Sequence, residues 1–214
     1  METIAEALPF LAEGALITLA LTGASFSLGL VLGLAAALAR LSWIAPMRWV
    51  AQFYVDFVRG TPLLVQLFMI YYGLPQFGIR LDPFVAGTLA LGGNYGAYLA
   101  EVFRGGLLSV DRGQWEAARS LDLPRVATMT TIILPQAVRV ALPGVGNYAI
   151  GMLKDTAQAS VVTVGELLRQ GQLRVAVTFR PFEIYLAVAV IYLLMSYPLT
   201  ILVKRLEKRS GRGF

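Results

Sequence analysis

Two groups of polar residues interrupt the long apolar stretches of this 214-residue chain. In the first group, Asn94, Tyr98 and Glu101 stand at positions i, i+4 and i+7, a spacing that puts them on one face of a helix. The second group is the run Lys-Asp-Thr at 154–156, which brings together a cation, an anion and a hydroxyl. Residues of these types bind polar or charged solutes through hydrogen bonds and ion pairs.

The charges in these groups have two interpretations, because polar side chains at membrane depth are costly and normally face protein or water. In the first, each charged residue pairs with a partner on another helix and orients the helix bundle. In the second, Glu101 or Asp155, together with Lys154, lies along the path of a solute, with Thr156 beside them. Adjacent helical residues point about 100° apart, so Lys154 and Asp155 are poorly placed to pair with each other unless the helix is broken there.

The composition indicates an integral membrane protein. Hydrophobic residues make up 57% of the chain and charged residues 14%, whereas a soluble domain carries about 25% charged residues. The mean hydropathy is +0.67. At this length we expect a single membrane domain over residues 1–214. The net charge of +5 fits Lys and Arg retained on the cytoplasmic side of a bilayer, so nucleic acid is not an expected partner.

Cysteine and histidine are both absent from the sequence. Their absence excludes disulfides, thiol nucleophiles, histidine-based acid–base catalysis and the commonest metal ligands. We therefore predict no metal site, no cofactor bound by this chain and no enzymatic activity of its own. A recognisable Ser–Lys or paired-Asp arrangement is also missing, which disfavours an intramembrane enzyme.

The elements that must position these residues are predicted to be membrane helices, in an all-α fold with about five transmembrane spans. A span needs about 20 apolar residues. The predicted spans are 14–39, 62–77, 84–104, 136–168 and 184–203. An amphipathic helix is expected at 46–58 near the cytoplasmic interface, with external loops at 78–83 and 169–183.

The basic residues after the last span fix the expected orientation. They are Lys204, Arg205, Lys208, Arg209 and Arg212. Because Lys and Arg favour the cytoplasmic side, we expect the C-terminus inside, and an odd number of spans then places the N-terminus outside.

Two local features support this arrangement of helices. Gly29 and Gly33 have the Gly-x-x-x-Gly spacing of a close helix contact. Arg59 precedes Gly60, Thr61 and Pro62, where we expect the chain to break and restart with Thr61 as the cap and Pro62 in the first turn. Arg59 itself is interpreted as a cytoplasmic anchor or as a partner for a helix end.

Residues 111–135 are too charged to cross a bilayer. Asp111 stands where an N-cap would be, and Pro124 favours a new helix start. We therefore expect two short helices at an angle, with the small Ala117 and Ala118 side by side. Small side chains let another surface approach closely, so this segment is either a docking surface on the cytoplasmic side or a plain loop.

The same segment resembles the EAA loop of ABC-importer permeases. Its Glu-Ala-Ala at 116–118 and Ile-Ile-Leu-Pro at 132–135 have the spacing of that motif. Asp122 replaces the usual glycine, and Asp is one of the few residues that also adopt the left-handed conformation. The segments 54–66, 97–106 and 153–156 are similar to the polar amino-acid branch of the family, whose members include histidine, glutamine and arginine permeases.

This resemblance implies a permease like those of type I ABC importers. Such a subunit carries a polar amino acid from an extracytoplasmic binding protein across the bacterial inner membrane into the cytoplasm. Its partners would be a cytoplasmic ATPase dimer, a second permease that is identical or homologous, and the lipid bilayer. The chain has no Gly-x-x-x-x-Gly-Lys-Ser/Thr phosphate loop, so ATP and Mg²⁺ would be bound by the ATPase.

Two sets of residues follow as candidates for function. The coupling segment 111–135 would contact the ATPase through Gln114, Glu116, Ala117, Ala118, Arg119, Leu121 and Asp122. The solute path would involve Asn94, Tyr98, Glu101, Lys154, Asp155 and Thr156. An amino acid carries an ammonium and a carboxylate, so a path with charges of both signs suits it. The alternative, a stand-alone channel or ion-coupled transporter, explains the intramembrane charges but leaves the Glu-Ala-Ala loop without a role.

Overall fold

A computed structural model describes residues 2–210, and every regular element in that range is helical. The α-helices are α1 Glu2–Arg40, α2 Ala45–Arg59, α3 Leu63–Phe68, α4 Pro83–Leu108, α5 Arg112–Ser120, α6 Arg125–Ala127, α7 Leu134–Asp155, α8 Leu167–Thr178 and α9 Pro181–Ser210. π-Helical turns at Met69–Gly73 and Thr128–Ile133 and 3-10 turns at Leu74–Phe77 and Thr156–Val162 extend some of them. The predicted all-α fold is confirmed.

The number of long helices is roughly compatible with the prediction of about five spans. Three helical stretches are long and apolar enough to cross a bilayer: Ile4–Arg40, Arg125–Val162 and Pro181–Lys208. The pair Ala45–Arg59 and Leu63–Phe77, bent by 105°, supplies a fourth candidate. α4 has 26 residues, which at 1.5 Å per residue gives about 39 Å and exceeds the roughly 30 Å hydrocarbon core. Arg212, part of the predicted basic tail, lies outside the described residues.

α4 forms the centre of the bundle, and α1 lies against it along much of its length. A Cβ atom added at Gly33 would stand 2.8 Å from the Cβ of Leu99 and 2.9 Å from the carbonyl oxygen of Gly96. One added at Gly29 would meet the carbonyl oxygen of Gly92 at 3.3 Å. The predicted Gly-x-x-x-Gly contact is therefore confirmed, because the two backbones approach too closely for larger side chains.

The region 169–183, predicted to be an external loop, is instead largely helical, so that prediction was wrong. The buried Glu166 caps α8 by accepting hydrogen bonds from the backbone N–H groups of Leu168 at 2.9 Å and Arg169 at 2.7 Å. The Tyr192 hydroxyl also donates to Glu166, at 2.7 Å. The arginines and Pro181 in this region indicated a loop. The helix forms because Glu166, the residue before α8, caps it and is itself held by a hydrogen bond from α9.

The first helix is longer than predicted, since α1 begins at Glu2 rather than near Gly14. Two short helices were expected in 111–135, the second of them starting near Pro124. Instead of a short helix, Arg125 starts one continuous helical stretch, Arg125–Val162. Pro143 lies inside that stretch without ending it. The segment after α5 therefore leads directly into a membrane helix.

Candidate functional site

A cavity of about 460 Å³ lies where the break between α2 and α3 meets α4 and the end of α7. This volume falls in the range typical of small-molecule sites, about 300–1,000 Å³. Its lining combines residues of the break with residues of α4 and α7: 59–63, Asn94, Tyr95, Tyr98, Tyr148 and Asp155.

Charges of opposite sign stand at two places in the cavity and are joined by tyrosine rings. The Tyr95 hydroxyl donates to Asp155 Oδ2 at 2.8 Å. The Arg59 guanidinium lies over the ring of Tyr98, 5.4 Å from its centroid. The Tyr148 ring bridges the other two, with centroids 6.0 Å from that of Tyr95 and 5.7 Å from that of Tyr98. A ligand that carries both an ammonium and a carboxylate matches this arrangement.

Gln66 fixes the shape of the break that lines the cavity. Its side-chain amide donates to the carbonyl oxygens of Val58 at 2.8 Å and Thr61 at 3.1 Å, and its oxygen accepts from Asn94 Nδ2 at 3.1 Å. Pro62, not Thr61, occupies the N-cap position of α3. The predicted cap was wrong because the Thr61 hydroxyl donates back to a carbonyl of α2, at 2.9 Å.

The structure brings three of the six predicted path residues together in this cavity. They are Asn94, Tyr98 and Asp155. The other three lie elsewhere. Lys154 is exposed, and the buried Thr156 donates its hydroxyl to the carbonyl of Leu153 at 2.7 Å.

Glu101 does not line the cavity but lies among three arginines at the ends of α1, α2 and α4. The nitrogen-to-oxygen distances are 3.0 Å to Arg40, 2.9 Å to Arg59 and 2.9 Å to Arg104. Its position matches the interpretation in which a membrane carboxylate pairs with other helices. Glu101 follows Asn94 by seven residues on α4. It therefore lies on the same helix face as Asn94 and Tyr98, but two turns beyond Asn94.

Six of the seven predicted coupling residues, on α5 and in the turn after it, are exposed. Asp111 Oδ1 accepts from the Gly113 N–H at 2.7 Å, so the predicted N-cap is confirmed. Asp122, at the position usually held by glycine, has a φ of 50° and is left-handed as expected. The exposed coupling residues are Gln114, Glu116, Ala117, Arg119, Leu121 and Asp122.

The two neighbouring alanines of α5 differ in exposure to solvent. Ala117 is exposed, whereas Ala118 is only 1% exposed. Ala118 therefore contributes to the packing of α5 against the chain rather than to the outward surface, which corrects the expectation that both alanines face a docked protein. The carbonyl of Ala118 also accepts from the Leu123 N–H at 3.0 Å, closing the turn after α5.

Comparison with known proteins shows the family. Residues 7–212 match the family described as "Binding-protein-dependent transport system inner membrane component". This chain belongs to that family. The permease is 44% identical over 207 residues to the glutamine transport system permease protein GlnP of Escherichia coli K12, covering 95% of this chain and 94% of GlnP. It is 42% identical over 208 residues to the L-cystine transport system permease protein TcyB of Bacillus subtilis 168, covering 95% and 88% of the two chains.

Solved structures give the same result for the permease. A chain from the "Crystal structure of an amino acid ABC transporter with histidines" matches with a TM-score of 0.91 and 42% identity, over 96% of both chains. A chain of the inward-facing MetNI methionine transporter matches with a TM-score of 0.77 and 20% identity, over 95% and 97%, which shows the shared fold alone. The predicted family resemblance is confirmed, and the chain is an inner-membrane transport permease rather than an enzyme.

Arg59, Tyr95 and Tyr148 are among the cavity-lining residues of the permease that sequence reasoning did not assign to the solute path. Tyr95 and Tyr148 are not among the predicted path residues, and Arg59 was interpreted as an anchor or a helix-end partner. A signal existed for Tyr148, which precedes Asp155 by seven residues and so shares its helix face. Nothing local marks Arg59, because the contact with Glu101 joins residues that are 42 positions apart.

Proposed function

We propose that this permease is the transmembrane subunit of an ATP-driven ABC importer that carries a polar amino acid into the cytoplasm. The observation that supports it best is the cavity in which Arg59 and Asp155 stand at the two ends of a tyrosine wall. A free amino acid presents both charges, and the glutamine and cystine named for GlnP and TcyB are amino acids of this kind. Asp155 is the acceptor for the ammonium, with Asn94 and Tyr98 beside the side chain.

The energy comes from a separate protein. The 214 residues contain no phosphate-binding loop, so a cytoplasmic ATPase dimer binds ATP and Mg²⁺. It docks on the exposed surface of α5, where Glu116, Ala117 and Arg119 are accessible. A binding protein delivers the amino acid from outside, and a second permease, identical or homologous, completes the membrane part.

One helix links the docking surface to the cavity. α5 ends at the left-handed Asp122, and Arg125 then begins the continuous stretch that runs to Val162. Asp155 lies near the far end of that stretch. A displacement of α5 on ATP binding is therefore carried along a single helical stretch to the residue proposed to hold the ammonium. In this arrangement residues 1–214 act as one permease domain, with its N-terminus outside and its C-terminus in the cytoplasm.

Reconstitution of the complex tests this function. The permease is co-expressed with an ABC ATPase and a binding protein from the same organism, purified, and placed in proteoliposomes with radiolabelled amino acids. We expect the ATPase to co-purify, and uptake to require ATP and the binding protein. Collapse of ion gradients with ionophores should leave uptake unchanged. Uptake that needs an ion gradient and no ATP would instead establish the ion-coupled transporter.

A further inference from the structure

Glu101 is surrounded by more positive charge than its single carboxylate can neutralise. Three guanidinium groups surround one carboxylate, so the cluster formed by Arg40, Arg59, Glu101 and Arg104 has a surplus of two positive charges. Arg104 holds Oε2 through both Nε at 3.1 Å and Nη2 at 2.9 Å. Oε1 is shared, with Arg59 Nη1 donating at 2.9 Å and Arg40 Nη1 3.0 Å away.

Arg59 is the member of the cluster that lines the cavity. Its side chain is 41% exposed, compared with 8% for Arg40. The Arg59 guanidinium group thus contacts Glu101 and at the same time lies over the ring of Tyr98. A guanidinium suits a solute carboxylate because its planar donors match the two oxygens.

Arg40 makes an exchange of partners possible. Its Nη1 already lies 3.0 Å from Glu101 Oε1 as an ion pair, and within the described part of the chain this atom makes no other polar contact. If Arg59 turned towards a carboxylate in the cavity, Arg40 would take over Oε1 while Arg104 kept Oε2. Glu101 would then remain paired with two guanidinium groups, those of Arg40 and Arg104.

We propose that Arg59 binds the carboxylate of the transported amino acid and that Glu101 is a positioning residue whose ion pair with Arg59 the solute must displace. This assignment rests on the proposed function and names a specificity determinant of the same path. Glu101 holds Arg59 beside the cavity when no solute is present and competes for it when solute leaves. The competition weakens solute binding and speeds release, so Glu101 acts through Arg59 rather than on the solute ammonium.

The test compares an amino acid with its own α-carboxamide, which keeps the ammonium and side chain but lacks the carboxylate. The probe is the proteinogenic L-amino acid that the reconstituted wild-type complex takes up fastest. Binding of both compounds to the permease–ATPase complex in nanodiscs is measured by calorimetry without binding protein. We expect the wild type to prefer the amino acid, and Arg59→Gln to lose at least about tenfold in affinity for it while the carboxamide is unaffected.

Glu101→Gln separates the proposal from the alternatives. We expect it to bind the amino acid roughly twofold to fivefold more tightly, with unchanged carboxamide affinity and slower uptake. Weaker binding of both compounds would make Glu101 an ammonium partner and overturn the proposal. If the assembled Glu101→Gln complex kept the wild-type ratio of amino-acid affinity to carboxamide affinity, Glu101 would have a purely structural role. That result would also overturn the proposal.

Matched controls come from the ion pair between Arg180 and Glu183, 3.4 Å apart at the junction of α8 and α9. Arg180→Gln and Glu183→Gln should leave the affinity ratio at its wild-type value. If Glu101→Gln fails to assemble, Arg59→Gln decides, because retention of the preference for the amino acid contradicts the proposal. A wild-type complex that takes up amino acids with ATP but binds the carboxamide equally well would refute this inference and leave the proposed function intact.

Discussion

The Tyr95 hydroxyl donates a 2.8 Å hydrogen bond to Asp155 Oδ2 and so joins the middle of α4 to the last residue of α7. Tyr95 is nearly buried, whereas Asp155 is half-buried and lines the cavity. A carboxylate can accept several hydrogen bonds, so Asp155 keeps acceptor capacity for a second donor. The bond orients the carboxylate at the place where the solute ammonium is expected.

Asp155→Asn should therefore weaken amino-acid binding to the permease complex by roughly 10- to 150-fold, since a charge-assisted hydrogen bond contributes about 1.5–3 kcal/mol. The amide oxygen can still accept from Tyr95, so assembly should persist. Calorimetry on nanodisc complexes measures the change. Tyr95→Phe keeps the charge and should cause a smaller loss. An assembled Asp155→Asn complex with full affinity would remove Asp155 from the solute path.

The two alanines of α5 provide a matched pair for the docking surface. Ala117→Trp places a large side chain on the exposed side, and we expect normal folding but loss of solute-stimulated ATP hydrolysis. Ala118→Trp overfills a buried site and should destabilise the permease by about 1–3 kcal/mol. Thermal unfolding and ATPase assays distinguish the two. Full coupling in Ala117→Trp would show that the ATPase docks elsewhere.

The left-handed residue after α5 predicts an effect on stability. Asp122 has a φ of 50°, a conformation that costs an L-residue about 1–2 kcal/mol and glycine almost nothing. Asp122→Gly should raise the unfolding temperature, and Asp122→Ala should lower it. Asp122→Asn tolerates the same conformation without charge and should resemble the wild type. If Asn shifts stability as much as Gly does, the charge rather than the backbone accounts for the effect.

Cysteine labelling tests the orientation of the chain, which has no native cysteine. Ser120 on α5 and Ala176 on α8 are both exposed, and one membrane crossing, Arg125–Val162, separates them. Ser120→Cys should react with an impermeant maleimide only from the cytoplasmic side, and Ala176→Cys only from outside. External reaction at Ser120 would contradict both the orientation and the coupling assignment.

Features encoded by local chemistry were predictable from sequence. Asp111 as a cap, Asp122 as a left-handed residue and the glycine contact of α1 follow from the preferences of single residues or short spacings. The shared face of Asn94 and Tyr98 follows from helical periodicity, and both line the cavity.

Features created by distant contacts were not predictable. The i, i+7 spacing put Glu101 on the correct face but said nothing about the arginines that reach it from α1 and α2. α8 was assigned as a loop because its arginines dominate the local pattern. Its start depends on Glu166 and on the Leu167 N–H, which donates to Thr18 Oγ1 across 149 positions of sequence. Such contacts leave no periodic signal.

The close contact between α1 and α4 restricts how this permease can acquire a new solute preference. A side chain at Gly33 collides with Leu99 and with the carbonyl oxygen of Gly96, so random mutagenesis of that interface should yield few active clones. Productive changes must come from the opposite side of α4, at positions such as Tyr98, or from the break between α2 and α3. A saturation library restricted to those positions will therefore contain a larger fraction of functional variants than one spread over the whole helix.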